Sequence, residues 1–551
     1  MNSKPRYARR AIACLIAAAF SVGQPAFADE RESMEALRET TLNLIDGLVE
    51  QGVFTREQAD KMVKAAQAKA AKTAAVDKEK TKGAPVRVQY VPETVKAEIR
   101  DQLRQEVLAQ AKAERWAEPN AVPSWLDRIK WEGDIRVRYQ SEDFASSNTT
   151  AEDYIYGALG DNPTGGEVTR AAGFLSNDGT ASTSNTDNDR DRYRLRARLG
   201  MLARISDDWS GGIRIATGSE TDRVSTNQTL GNDFNKYELS LDRAYVNYAP
   251  VEWMTLVGGR MPNPWLSTDL MWDEDLNFDG FAGTFKPSIG NGNFRPFATI
   301  GAFPLREDAP PTQDSRWIYG IQAGAKWEFA QNTLLSFGVA LYDFNNMEGQ
   351  VEDNEEYLAG NTAAYGQYEY GSGLRQKGNT LFRTNAIDDD SDSIWGLASK
   401  FRPLNLTASL DLAHFDPVHV VLSADYVKNT DFDRNEIYRR TGIELTDGKD
   451  YGYLAKVMVG MPKLEKRHDW QATFAYRYLG SDATLDAFTD SDFGLGGTNL
   501  KGYQLGFTYG LDPNAWLNVR YISAESIDSF SLNPSDRYAV DLLQADVNVR
   551  F

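Results

Sequence analysis

Between Tyr193 and Ala203 the sequence alternates strictly. Tyr193, Leu195, Ala197, Leu199, Met201 and Ala203 fall on one side of an extended chain, and Arg194, Arg196 and Arg198 on the other. Three arginines on alternate positions cannot face lipid, where each costs about 2–4 kcal/mol near the bilayer midplane. They require a wet interior, and the apolar side requires a greasy exterior. A soluble sandwich could carry the charged face, but it would have no need of aromatics at its strand ends. Those aromatics recur in Tyr319–Phe329, Trp470–Tyr478 and Tyr503–Tyr509, where they mark an interfacial girdle.

The same period predicts strands near 129–140, 192–204, 209–219, 238–249, 252–261, 277–286, 292–303, 317–329, 333–344, 397–413, 418–429, 451–461, 468–479, 500–510, 515–525 and 540–551. The expected fold is an all-β transmembrane antiparallel β-barrel of about 16 strands over residues 129–551, an even number as single-chain bacterial barrels have. Connectors test this independently. Ser206–Trp209, Ala249–Val251, Pro287–Asn291, Ala330–Asn332, His414–Pro417, Pro462–Arg467 and Leu511–Asn514 are short, and they alternate with mostly long connectors such as 141–191 and 345–396. Leu239 and Leu241 are out of phase with Ala244, Val246 and Tyr248, which a bulge near Asp242-Arg243 would repair.

Composition narrows the function classes. A net charge of −19 argues against a nucleic-acid partner. With 25 Tyr, 25 Phe, 12 Trp and 44 Gly, and no run after residue 28 near 18 apolar residues, a barrel fits better than a helical membrane protein. His414, His419 and His468 are the only histidines, and the first two flank a short turn. No phosphate-cradling glycine loop, zinc-ligand cluster or Ser-His-Asp arrangement is apparent, so an enzyme, a cofactor and a metal site are not expected. The acidic run Asp388-Asp389-Asp390 with Asp392 lacks calcium-loop spacing and reads as a solvated rim, which could bridge lipopolysaccharide phosphates through divalent cations.

Residues 1–28 read as an export signal: basic Lys4, Arg6, Arg9 and Arg10, an apolar Ala11–Phe20, and a small-x-small site with cleavage between Ala28 and Asp29. Cys14, the only cysteine, lies in the apolar stretch, so the mature chain has neither thiol chemistry nor disulfides. Residues 29–118 read as a helical, coiled-coil-like periplasmic region. Leu37, Leu44 and Leu48 form one stripe, Thr55 and Gln58 a capping box, and Val95, Ile99, Leu103 and Val107 a second stripe. Such narrow stripes need a partner, through trimerisation or cell-wall contact, or else the region is a spacer. Residues 119–128 are the linker.

Two resemblances add to this. The final alternation, Leu543 to Phe551, resembles the C-terminal strand of Gram-negative outer-membrane barrels, in which a terminal Phe such as Phe551 marks the chain for insertion by the barrel-assembly machinery. More broadly, the chain resembles the putative porin family of Gram-negative outer membranes. Val91–Arg100, Gly133–Tyr139, Leu241–Val246, Gly258–Trp265 and Asp273–Gly280 carry that likeness. It implies an outer-membrane barrel with diffusive transport, and by family analogy a homotrimer. It implies no particular solute.

The expected function is passive diffusion of small hydrophilic solutes or ions through a water-filled lumen. The expected alternative is a structural or adhesive barrel whose helical region tethers the envelope. Nine arginines fall on the wet side and are candidates for lining the pore: Arg136, Arg138, Arg194, Arg196, Arg198, Arg214, Arg260, Arg477 and Arg520. They either guide anions or pair with interior acids to hold the barrel's shape. The third outward connector, Pro262–Leu276, holds Trp265, Asp269, Trp272, Asp273, Glu274 and Asp275. In general porins that loop folds inward as the constriction; otherwise it is a surface loop.

Overall fold

The computed structural model describes residues 128–551, apart from 152, 155–167, 175–184, 291, 308–314, 353–365, 386–392, 443, 446–448 and 532–534. The export signal with its Ala28–Asp29 cleavage site, the helical region, nearly all of the linker and the Asp388–Asp392 acids lie outside the described residues.

Sixteen long strands form the wall. They are β1 (Ile129–Phe144), β2 (Arg190–Arg204), β3 (Trp209–Thr217), β4 (Leu239–Val251), β5 (Met254–Pro262), β6 (Asn277–Phe285), β7 (Phe294–Arg306) and β8 (Arg316–Ala330). They continue as β9 (Thr333–Asn345), β10 (Pro403–Phe415), β11 (Val418–Asn429), β12 (Tyr451–Gly460), β13 (Trp470–Leu479), β14 (Leu500–Asp512), β15 (Ala515–Ser526) and β16 (Ala539–Arg550). Each pairs antiparallel with the next, and β16 returns to β1 with Arg138 opposite Asp546 and Val137 opposite Val547. Phe551 and Gly133 exchange two backbone hydrogen bonds of 3.0 Å at this seam. The sheet therefore closes and has no free edge.

Polarity across the wall is inverted relative to a soluble protein. On β1, Ile135 and Val137 are 44% and 47% exposed on the outer face, while Arg136 and Arg138 between them are 6% and 0% exposed. Outer-face Leu199, Val339, Phe474 and Val547 continue the apolar band around the barrel. Placing an arginine on this band at Leu199 is expected to cost about 2–4 kcal/mol of folding free energy in phospholipid vesicles. The same change at inner-facing Asn518 should cost far less. A urea titration of both variants in vesicles checks this, and equal costs would contradict a lipid-facing exterior.

The bulge anticipated on β4 is present. Arg214 opposes Arg243 and Ile215 opposes Leu241, leaving Asp242 as the extra residue. The bulge keeps Leu241 and Val246 both outward and buries Asp242 inside, where it pairs with Arg214.

One strand differs from expectation. The segment expected as 397–413 is not continuous: β10 begins at Pro403, and Trp395–Leu397 belongs to a separate small sheet with Leu381–Arg383 and Val168–Thr169. The alternation spans both pieces, but Ser399 to Arg402 turns the chain from the interior sheet to the wall. All three short strands are buried, so the first and fifth loops (145–189 and 346–402) pack against each other. A helix α1 (Arg434–Thr441), capped by Asp433, lies in the sixth loop.

Candidate functional site

The third loop, 263–276, folds inside the barrel. Leu266 donates its backbone N–H to Gln322 Oε1 on β8 and accepts from Gln322 Nε2, both at 2.8 Å. Thr268 donates to Asp425 on β11 at 2.7 Å, and Arg477 on β13 donates to the Leu270 carbonyl at 3.3 Å. The loop leaves β5 and ends against β8, β11 and β13, which lie farther around the wall.

Two tryptophans anchor it. Trp272 sits against Phe278, Tyr342, Phe344 and Phe488, with ring centroids 5.1–6.2 Å away. Trp265 meets Phe303 and Tyr342 edge-on at 6.0 and 5.2 Å. The wall makes room for Trp265 at Gly320, where a Cβ would stand 2.6 Å from the indole ring. Gly320→Val is therefore expected to displace Trp265 and loosen the third loop at a cost of about 1–3 kcal/mol. Increased proteolysis within 263–276, with strand content by circular dichroism unchanged, would report it.

A second loop also enters, and the sequence did not single it out. The seventh loop, 480–499, buries Ser481 through Thr489, and its Phe488 carbonyl accepts from Asp273 N at 2.9 Å. Its Asp492 is the hub of the arginine field. Arg138 Nη1 lies 3.0 Å away, Arg520 is ion-paired to the same carboxylate, and Gln544 Nε2 donates at 2.9 Å. Burial works to raise the Asp492 carboxyl, but Arg138 and Arg520 outweigh it and hold it well below the usual carboxylate range. The one clue in the sequence is the apolar Leu485, Ala487 and Phe488 inside an outward loop.

The loop acids divide by environment. Asp273 accepts backbone N–H groups from Asp275 and Ser491 at 2.7 and 2.9 Å, and burial beside Asp490 pushes its carboxyl well up. Burial also opposes ionisation of Asp275, but Arg196 and Arg198 outweigh it and pull that carboxyl down. Asp275 thus meets the ladder as an anion, while Asp273 joins the third loop to the seventh. Glu274 is exposed within electrostatic reach of Arg198 and Arg520, and half-buried Asp269 lies near Asp490.

Eight of the nine arginines face inward. Arg260, expected on the wet side, does not, because it stands opposite outer-face Ala244 and exposed Asp279 while its neighbour Met261 is buried inside. Seven of the nine are matched by acids. Arg138 pairs with Asp492 and Asp546, Arg196 and Arg198 with Asp134 and Asp275, and Arg214 with Asp242. Arg260 pairs with Asp279, Arg477 with Asp490 and Arg520 with Asp492. Arg136 and Arg194 have no such partner among the described residues. Arg136 donates to the neutral Asn227 Oδ1 at 2.6 Å, and the buried Nε of each is unmatched.

The β2 ladder is also longer than the three arginines singled out from sequence. Strand pairing begins at Arg190, so Arg190 and Arg192 continue the inner row toward the loop end, opposite Glu142 and Gln140. Five arginines at every second residue span eight residue steps, roughly 27 Å at about 3.4 Å per residue, comparable to the apolar band of a membrane barrel. Among the described residues no cluster of His, Cys, Asp and Glu could hold a metal ion. His419 pairs with Asp411 at 2.8 Å beside the short turn after β10.

The sequence profile of a family described as putative porin matches residues 38–551. No curated protein sequence matches the chain. Among solved structures it is similar to OprB of Pseudomonas putida, with 9% identity over 78% of this chain and 96% of that one and a TM-score of 0.43. The outer membrane channel DcaP of Acinetobacter baumannii gives 13% identity over 77% and 97% and a TM-score of 0.38. OmpF of Salmonella typhi, in complex with daunomycin, gives 11% over 77% and 97% and a TM-score of 0.37.

Proposed function

Because this chain belongs to the putative porin family, we propose that it is an outer-membrane porin passing small hydrophilic solutes and ions by passive diffusion. The observation that carries this reading is the inverted polarity of a closed sixteen-stranded barrel: an apolar outer band around an interior of ion-paired arginines and acids. Sixteen strands are wide enough to leave an aqueous channel. The third and seventh loops narrow it, and permeating solutes meet the strand arginines along one side.

Charge preference in this reading rests on the arginines that acids do not cancel, Arg136 and Arg194, rather than on all nine. The third-loop acids act unequally, with Asp275 and Glu274 facing the arginines. The exposed band is taken up by lipid and lipopolysaccharide, Phe551 serves as the insertion signal for the assembly machinery, and the porin assembles as a trimer. Residues 29–118 occupy the periplasm.

Single-channel current of the purified, refolded protein in a planar bilayer under a salt gradient tests the proposal. Steady ohmic steps with a reversal potential favouring anions are the expected result. Steps favouring cations would keep the pore and assign selectivity to the acidic loops. Absence of steps from folded protein would overturn the porin reading in favour of an occluded barrel that tethers or adheres.

A further inference from the structure

A cavity of about 430 Å³ lies where the upper arginines of β2 face the second, fifth and seventh loops. Its charge is unusual in a chain of net charge −19. Arg194 makes no hydrogen bond or ion pair among the described residues, and its Nε is buried and unmatched. Arg190 stands four residues above it at the rim.

From the loop side, Arg223 donates to the carbonyls of Gly373 and Leu374 at 2.7 and 3.1 Å. Lys377 donates to the Leu495 carbonyl at 3.0 Å and lies 5.3 Å from the centre of the Tyr538 ring. Both side chains are held by neutral groups, so the charge of Arg223 is not cancelled, while burial pulls the Lys377 ammonium down to about 7 and a bound anion would restore its charge. Of the two acids in the lining, Glu142 is engaged by Arg192, and the lining's Arg375 pairs with Glu369 at 3.9 Å, which leaves Asp222 against Arg190, Arg194, Arg223 and Lys377.

We infer that this cavity is a binding site for a small organic anion carrying two or more negative charges, such as a polycarboxylate or a phosphate ester. The inference deepens the porin reading by naming the solute class, and it rests on that reading only for transport. Wall cations on one side and loop cations on the other favour a ligand with separated charges over a single carboxylate. A guanidinium that already lacks a partner gives up no existing bond to receive one, so its bidentate pair with an anion is gained nearly whole.

Citrate and acetate are the probes, added on the loop side of channels in a planar bilayer at about 0.1 M KCl. The expected result is citrate block of the chloride current at about a hundredfold lower concentration than acetate. Arg194→Gln should raise the half-blocking citrate concentration about tenfold, Arg194→Lys should restore part of it, and the distant turn variant Arg204→Gln should leave it unchanged. Equal block by the two anions, or block indifferent to Arg194→Gln, would overturn the site while leaving the pore intact. If no channels form, calorimetric titration of the folded protein in detergent with citrate decides separately. Binding lost in Arg194→Gln supports the site without the pore, and no binding to the parent protein removes it.

Discussion

Asp492→Asn should shift the zero-current potential of the channel toward the anion limit and weaken the folded barrel by about 3 kcal/mol. The carboxylate is shared by Arg138 and Arg520 and receives Gln544 as well. Removing one partner of a buried ionic group leaves uncompensated charge, at about 3–5 kcal/mol. The low end applies because Arg138 keeps Asp546 at 2.7 Å. The guanidiniums so uncovered face the lumen, hence the change in selectivity.

The pH dependence has a definite sign. A carboxyl held below its ordinary value contributes stability that is present above its unfolded value, about 3.9, and is lost as the pH falls below it. The parent protein should therefore lose stability below about pH 4 more steeply than Asp492→Asn. Urea titrations in detergent at several pH values, with bilayer recordings under a salt gradient, measure both effects. An unchanged potential together with unchanged stability would remove Asp492 from the centre of the arginine field.

Trp272→Ala should cost about 3–5 kcal/mol and enlarge the single-channel conductance. Trp272 is 2% exposed and packs on Phe278 and Tyr342 of the wall and on Phe488 of the seventh loop. Truncating a buried aromatic forfeits its transfer free energy and leaves a cavity. Here that cavity lies at the contact between the third and seventh loops, so both loosen together. Larger and noisier steps alongside a lowered melting temperature are the expected result. A surface loop would predict neither, and wild-type conductance in the variant would return the third loop to that role.

The wall was legible because its information is local. An alternation of greasy and charged residues can be read from any ten residues in a row, which is why β11, Val418–Asn429, falls where the period places it. The bulge at Asp242 was legible for the same reason, as a break of phase between Leu241 and Ala244. The interior was less so. Whether a loop turns inward depends on partners far along the chain: Arg138 and Asp492 are 354 residues apart, and no periodicity links them. The third loop was singled out by its place as the third outward connector, which in general porins folds inward, while the seventh, with small residues at Ser481, Ala483 and Ala487, gave little sign. Trp395–Leu397 misled because a short strand in the interior sheet has the same pattern as the start of a wall strand.

The seam between β1 and β16 bears on how the molecule is made. It joins residues 408 positions apart, such as Arg138 and Asp546, so its loop-closure entropy is the largest of any strand pair in the barrel. Until that pairing forms, Arg138 lacks the acid on β16. Seam closure is thus expected as a late, slow step in assembly. The charged lumen would be completed in that same step, so a chain arrested before it would have neither a sealed wall nor a finished passage.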